Sequence, residues 1–242
     1  MLLLEDKTTK IIEEVREYAM ESFYISTDDD YCEAMENLYD FISDNKIGGE
    51  VCTGASKMVF VPDNENSTFV LKIPYYGSQY YHETYDEERG EYLDDGEYIA
   101  EDFEGAKNEV NDYDYCRTEV EVYEEAEKDG FAEFFPYTAL YAAGSKTSPN
   151  IYIQEKAESF FDTEDEVTEE ISNTASTISR NTGYVAPDAF VLACVCYYGA
   201  KRTQKFLDWV GSNERINDIH SGNIGRRSNG SPIIIDFAGF RH

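Results

Sequence analysis

Between Ile216 and Gly239, three oxygen-bearing side chains fall at spacings that a single hairpin explains. Asn223 follows Asp218 by five residues, and Asp236 follows Asn223 by thirteen. The intervening Arg226-Arg227-Ser228-Asn229-Gly230-Ser231-Pro232 contains Asn-Gly, the strongest short turn signal, because both residues tolerate positive φ. The apolar run Ile233 to Ile235 then reads as a buried strand that returns Asp236 to the side of Asn223. Two of the three side chains therefore belong at the open end of one hairpin. The set is what phosphoryl transfer requires: a carboxylate to orient an attacking hydroxyl and take its proton, and hard oxygen ligands to hold Mg²⁺ against phosphates. Asp218 suits the first task, Asn223 and Asp236 the second.

Upstream, two helices open the chain. Ile11, Ile12, Val15, Tyr18, Ala19 and Phe23 recur at helical spacing. Tyr31, Ala34, Met35, Leu38, Phe41 and Ile42 form a second face behind the acidic start Asp28 to Asp30. Residues 1–46 thus read as a helical hairpin. From Ile47 the period shortens to two. Residues 48–61 give two strands about a small-residue turn, Thr53 to Lys57, and Thr68 to Pro74 gives a third. Lys72 stands in that third, apolar strand, where burying an ammonium is costly unless a carboxylate and an anionic ligand meet it. Residues 75–105 form a tyrosine-rich insertion with eleven Asp and Glu between Glu83 and Glu104 against Arg89, expected to be a mobile surface excursion. Helix returns over 106–128, where Val122, Tyr123 and Ala126 follow Glu119 by three, four and seven residues and so share its face. Tyr137 to Ala143 and Ile151 to Gln154 complete a five-stranded antiparallel sheet. The rest is helical, with a polar helix over 164–179 and one long helix from Pro187 to Gly211 that leads into Asp218.

Asp218-Ile219-His220-Ser221-Gly222-Asn223 resembles the catalytic loop of the protein-kinase superfamily, in the form shared by small-molecule kinases and the compact serine/threonine protein kinases of lytic bacteriophages. Asp236-Phe237-Ala238-Gly239 is similar to the D-F-G metal motif. The resemblance spans residues 47–242 and implies ATP and Mg²⁺ as ligands. By it, Asp218 is the catalytic base, Asn223 and Asp236 hold the metal, and His220 takes the place of the catalytic-loop lysine near the γ-phosphate. Gly54 and Ser56 lie in the turn over the phosphates, Lys72 pairs with the phosphates and with Glu119, and Glu155 and Ala157 belong to the hinge beside adenine. The implied fold is α+β and bilobal: a five-stranded antiparallel N-lobe over 47–155, interrupted by the acidic insertion 75–105, and a truncated helical C-lobe over 156–242. Two departures stand out. Ile216-Asn217 replaces His-Arg, removing the arginine that would read a phosphorylated activation loop, and the phosphate turn carries Gly54 where three glycines are usual.

The net charge of −30 argues against binding a nucleic-acid backbone, since affinity there comes from neutralising phosphates with Lys and Arg. Met1-Leu2-Leu3-Leu4 runs at once into Glu5-Asp6 and lacks a positive start, unlike a signal peptide, and no stretch approaches membrane-span length. Five scattered cysteines suit a reducing cytoplasm, that of the host if the chain is phage-encoded. Within these bounds, the resemblance implies an Mg-ATP-dependent serine/threonine protein kinase acting on host proteins. The alternative is an acidic, kinase-shaped protein without catalysis that occupies the basic site of a host nucleic-acid-handling protein.

Overall fold

Strand alternation in the sequence becomes strand pairing in the computed structural model, which describes residues 12–18, 37, 40–41, 44, 49–53, 57–62, 67–74, 83–86, 91–94, 115–144, 150–160 and 167–238. The chain is α+β. Its contacts divide it into two compact units, Met1–Cys116 with Ala139–Gln154, and Arg117–Thr138 with Glu155–His242.

The first unit is built on a five-stranded antiparallel sheet of β1 (Glu50–Thr53), β2 (Lys57–Val61), β3 (Phe69–Pro74), β6 (Thr138–Ala142) and β7 (Ile151–Glu155), in the order β1-β2-β3-β7-β6. Phe60 lies opposite Leu71 and Met58 opposite Ile73, so one face of β2 and β3 is apolar and fully buried. Side chains alternate along a strand, so Lys57, Val59 and Lys72 share the other face. Residues 12–18 are helical, with Ile12 and Val15 buried, and so are residues 37, 40–41 and 44. The Tyr18 and Phe41 rings stack at 4.3 Å, and the Tyr141 hydroxyl on β6 donates to Glu13. That phenol is harder to ionise than usual, chiefly through burial and then through its bond to Glu13.

Two stretches of the acidic insertion are described. Within it β4 (Glu83–Asp86) and β5 (Glu91–Asp94) pair as an antiparallel ribbon, with Tyr85 opposite Tyr92 and Thr84 opposite Leu93. Thr84, Tyr85 and Tyr92 are residue types enriched in strands, which suits the pairing.

In the second unit, α1 (Tyr115–Asp129) stops at Gly130, whose φ of 79° is the left-handed helix stop that glycine allows. A 3₁₀ turn, Ala132–Phe134, follows. Thr168 caps α2 (Glu169–Asn181), its hydroxyl accepting from the Ile171 amide. The long helix expected from Pro187 to Gly211 is two helices, α3 (Asp188–Tyr198) and α4 (Ala200–Gly211). They break at Gly199, which takes φ 81° and ψ 153°, a region open essentially to glycine alone. The apolar period runs through the break, and so the sequence reads as continuous. A three-stranded sheet, β10 (Pro232–Ile234), β9 (Ile224–Arg226) and β8 (Glu158–Ser159), completes the unit. Its core gathers Phe134, Phe135, Phe206 and Phe237, all fully buried, with Phe134 stacked on Phe206 at 3.8 Å. Among the described residues no helix is long and apolar enough to cross a membrane.

Candidate active site

The hairpin forms as its turn chemistry dictates. The Gly230 amide donates to the Arg227 carbonyl at 2.8 Å, closing the turn, and Gly230 takes φ 84°. The Asn229 side-chain oxygen accepts from the Ser231 amide at 2.9 Å, and the Arg227 amide donates to the Ser231 carbonyl at 3.0 Å. These bonds set the register, with Arg226 opposite Pro232 and Ile224 opposite Ile234. One step further, the Ile235 amide donates to the Asn223 carbonyl at 2.9 Å, so Asp236 leaves the hairpin beside Asn223.

The loop before the hairpin is tied to the same end. The amides of Asn217 and Asp218 both donate to the Phe237 carbonyl, each at 3.2 Å. The Asn223 side chain donates through Nδ2 to the Asp218 carbonyl at 2.8 Å. That bond commits the amide nitrogen, so Oδ1 is the atom of Asn223 suited to meet a cation. Phe237 is fully buried and meets Phe135 edge to face at 4.9 Å, a packing that fixes the backbone on which Asp236 stands. Upstream, Ile216 is buried in the core, and Arg215 reaches Glu125 on α1, which also accepts from Asn213 Nδ2 at 3.0 Å. The structure thus brings the backbones of Asp218, Asn223 and Asp236 together, with Asn223 buried and the two aspartates partly exposed.

His220 caps the short 3₁₀ turn Ser221–Asn223. Its Nδ1 accepts from the Gly222 amide at 3.0 Å, which places the imidazole proton on Nε2. That nitrogen lies 3.8 Å from Asp218 Oδ1. Gly222 is small for a packing reason, because a Cβ there would meet His220 Cε1 at 2.9 Å.

Sequence reading passed over Arg227. Its Nε reaches both oxygens of Glu155, at 3.0 and 3.1 Å, and its two terminal nitrogens donate to the carbonyls of Glu133 and Phe135. Glu155 in turn accepts from the Tyr137 amide at 3.2 Å. Within the second unit, one guanidinium therefore fastens the turn of the hairpin to Glu155, one of the expected hinge residues. Ala157, the other expected hinge residue, presses on the hairpin as well, since a Cβ on Gly225 would sit 2.9 Å from Ala157 Cβ. Tyr198 adds a clamp: its hydroxyl lies 2.9 Å from the Glu133 carbonyl and 3.1 Å from that of Pro232, and burial makes it harder to ionise than usual. No sequence signal marks Arg227, because its partners Glu155, Phe135 and Glu133 lie 72 to 94 residues away.

Lys72 is 3% exposed on β3, in the first unit, and Glu119 is 0% exposed on α1, in the second. Gly54 and Ser56 lie outside the described residues. Among the described residues no group of three or more His, Cys, Asp and Glu could hold a metal. A Mg²⁺ bound to nucleotide phosphates needs fewer protein ligands than that, and one amide oxygen with one carboxylate is a hard-oxygen donor set that fits it. Compared with protein-family models, curated proteins and solved structures, the chain matches none.

Proposed function

We propose that the chain is an Mg-ATP-dependent serine/threonine protein kinase of the compact phage type, acting on host proteins in the host cytoplasm. One observation carries the reading. The loop Ile216 to Asn223 and the segment Ile235 to Phe237 are hydrogen-bonded to each other, so a carboxylate suited to a base and two oxygen ligands issue from neighbouring backbone. In this reading Asp218 orients the substrate hydroxyl. As the hydroxyl oxygen bonds to the γ-phosphorus, the bond from that phosphorus to the β,γ-bridging oxygen breaks, ADP leaves, and Asp218 takes the proton. Asn223 and Asp236 hold Mg²⁺, which supplies charge neutralisation at the phosphates. Lys72, paired with Glu119, meets the phosphates, and Gly54 and Ser56 cover them. Glu155 and Ala157 flank adenine, and His220 stands toward the γ-phosphate. Catalysis rests on positioning and charge stabilisation.

Transfer of labelled phosphate from ATP to protein substrates, with Mg²⁺ or Mn²⁺, tests the proposal. The wild-type chain labels protein, whereas Asp218→Ala and Asp236→Ala each lose about 10²-fold or more, the usual scale for removing a positioned base or charge-stabilising group. Equal labelling by all three chains overturns it.

The net charge of −30 favours a second reading, in which the surface engages a basic partner without catalysis. It predicts capture of a basic, nucleic-acid-handling host protein that weakens with salt and is unchanged by Asp218→Ala.

A further inference from the structure

The backbone of Asp218 is fixed from both sides, its amide donating to the Phe237 carbonyl at 3.2 Å and its carbonyl accepting from Asn223 Nδ2 at 2.8 Å. Its side chain, by contrast, is 46% exposed. Among the described residues that carboxylate meets one polar side chain, the imidazole of His220, whose Nε2 lies 3.8 Å from Oδ1. The ring is held in turn. Nδ1 accepts from the Gly222 amide at 3.0 Å, and ring atoms fill the space that a Cβ on Gly222 would need, Cε1 at 2.9 Å and Nδ1 at 3.2 Å from it. A cap bond and a close fit together aim one N–H at one carboxylate oxygen.

A base works only while its oxygen points at the proton that it takes, and such groups are commonly oriented by a further side chain behind them. A half-exposed carboxylate keeps its rotamer freedom unless such a group holds it. The separation of 3.8 Å is longer than a hydrogen bond, and catalytic hydrogen bonds that are long in the free protein shorten when substrate is in place. With Nδ1 occupied as an acceptor, the ring carries its proton on Nε2. It therefore offers a directed donor, where a lysine would offer charge, and that donor faces Asp218. We propose that His220 is a positioning residue: it holds the Asp218 carboxylate toward the substrate hydroxyl, and acts on transfer through Asp218 rather than by binding the γ-phosphate. The proposal rests on the Mg-ATP reading for Asp218 as the base and on the loop's own bonds for its geometry.

The test follows turnover of labelled Mg-ATP by the full chain with dephosphorylated casein as acceptor, counting both transfer to protein and release of phosphate. It compares kcat and the KM for ATP of the wild type, His220→Asn and His220→Gln, with urea unfolding as a check on folding. Asparagine keeps the cap, since its oxygen accepts from the Gly222 amide, but is too short to reach Asp218. Glutamine sets an amide N–H farther out, near the place of Nε2. His220→Asn should lower kcat about 10-fold, a part of the roughly 10²- to 10⁴-fold that a positioned base supplies, with the KM for ATP within about two-fold of wild type. His220→Gln should recover part of that loss, which lost packing alone would not give. A folded His220→Asn with wild-type kcat overturns the proposal. So does one whose main change is a rise in the KM for ATP, which would give the ring to the phosphates and leave the nucleotide reading standing. Should neither variant fold, the ¹⁵N shift of His220 Nε2 is compared between the wild type and Asp218→Asn: a moved resonance upholds the pairing, and an unmoved one overturns it. A wild-type chain that turns over no Mg-ATP overturns the Mg-ATP reading, and the role of His220 in transfer with it.

Discussion

The sheet of the first unit and the hairpin of the second place their candidate groups by different means. On the sheet, Lys72 is placed only through the register that sets Val59 opposite it. A slip of one residue would send every side chain of one strand to the other face, so the arrangement is all or none. In the hairpin unit the candidate residues are tied by separate devices: the Phe237 carbonyl that accepts from the Asp218 amide, the Asn223 Nδ2 that donates to the Asp218 carbonyl, and the cap at His220. Such devices fail one at a time. The sheet should therefore tolerate most single changes until its pairing gives way, whereas the hairpin unit should show separable losses that scale with the device removed.

The largest of those losses is expected at Phe237. Its ring is fully buried against Phe135, and removing a buried phenyl costs about 3–5 kcal/mol through lost transfer energy and the cavity left behind. Phe237→Ala should lower the midpoint of urea unfolding accordingly, while Val59→Ala, half-buried on the sheet, should lose much less. A loss below about 1 kcal/mol at Phe237 would mean that the hairpin end is not anchored by its aromatic, and the contrast between the units would go with it.

Arg227 comes next. Arg227→Met leaves the Glu133 and Phe135 carbonyls and the Glu155 carboxylate short of a donor, at an expected cost of about 1–3 kcal/mol in thermal or urea unfolding. Arg227→Lys should recover only part of it, because an ammonium cannot present a planar fork to a carboxylate and two carbonyls together. Full recovery by lysine would show that charge alone matters there and that the fan of acceptors is incidental.

The same contrast explains what could be read in advance. Strands β1, β2, β3, β6 and β7 follow from a period of two, and the hairpin from Asn229-Gly230 between an asparagine and an isoleucine run. Local rules sufficed because the signals are local. The break at Gly199 was hidden by an apolar pattern that continues across it, and a single glycine inside a helical pattern does not by itself mark a break. Strand β8 has two residues and no period to read. Arg227 depends on partners 72 to 94 residues distant, which no window along the chain contains.

The smallest effect, and the finest discrimination, concerns Gly222. It is not among the glycines with positive φ, so its backbone would accept alanine. What resists is the imidazole, with Cε1 at 2.9 Å and Nδ1 at 3.2 Å from the position of a Cβ. Gly222→Ala should therefore push the ring aside, break the bond from the Gly222 amide to Nδ1, and release His220 from the tautomer that turns its Nε2 proton toward Asp218. The chain has three histidines, so the ring nitrogens of His220 can be followed by ¹⁵N NMR. The wild type should show Nδ1 as an acceptor and Nε2 protonated, and Gly222→Ala a mixture of tautomers. Stability gives the second measure. Gly222→Ala should cost about 1 kcal/mol alone and close to nothing when His220 is already alanine, since residues in contact couple and residues without a shared partner do not. Equal costs in both backgrounds would show that Gly222 serves the backbone rather than the ring, and the one device joining His220 to Asp218 would be lost.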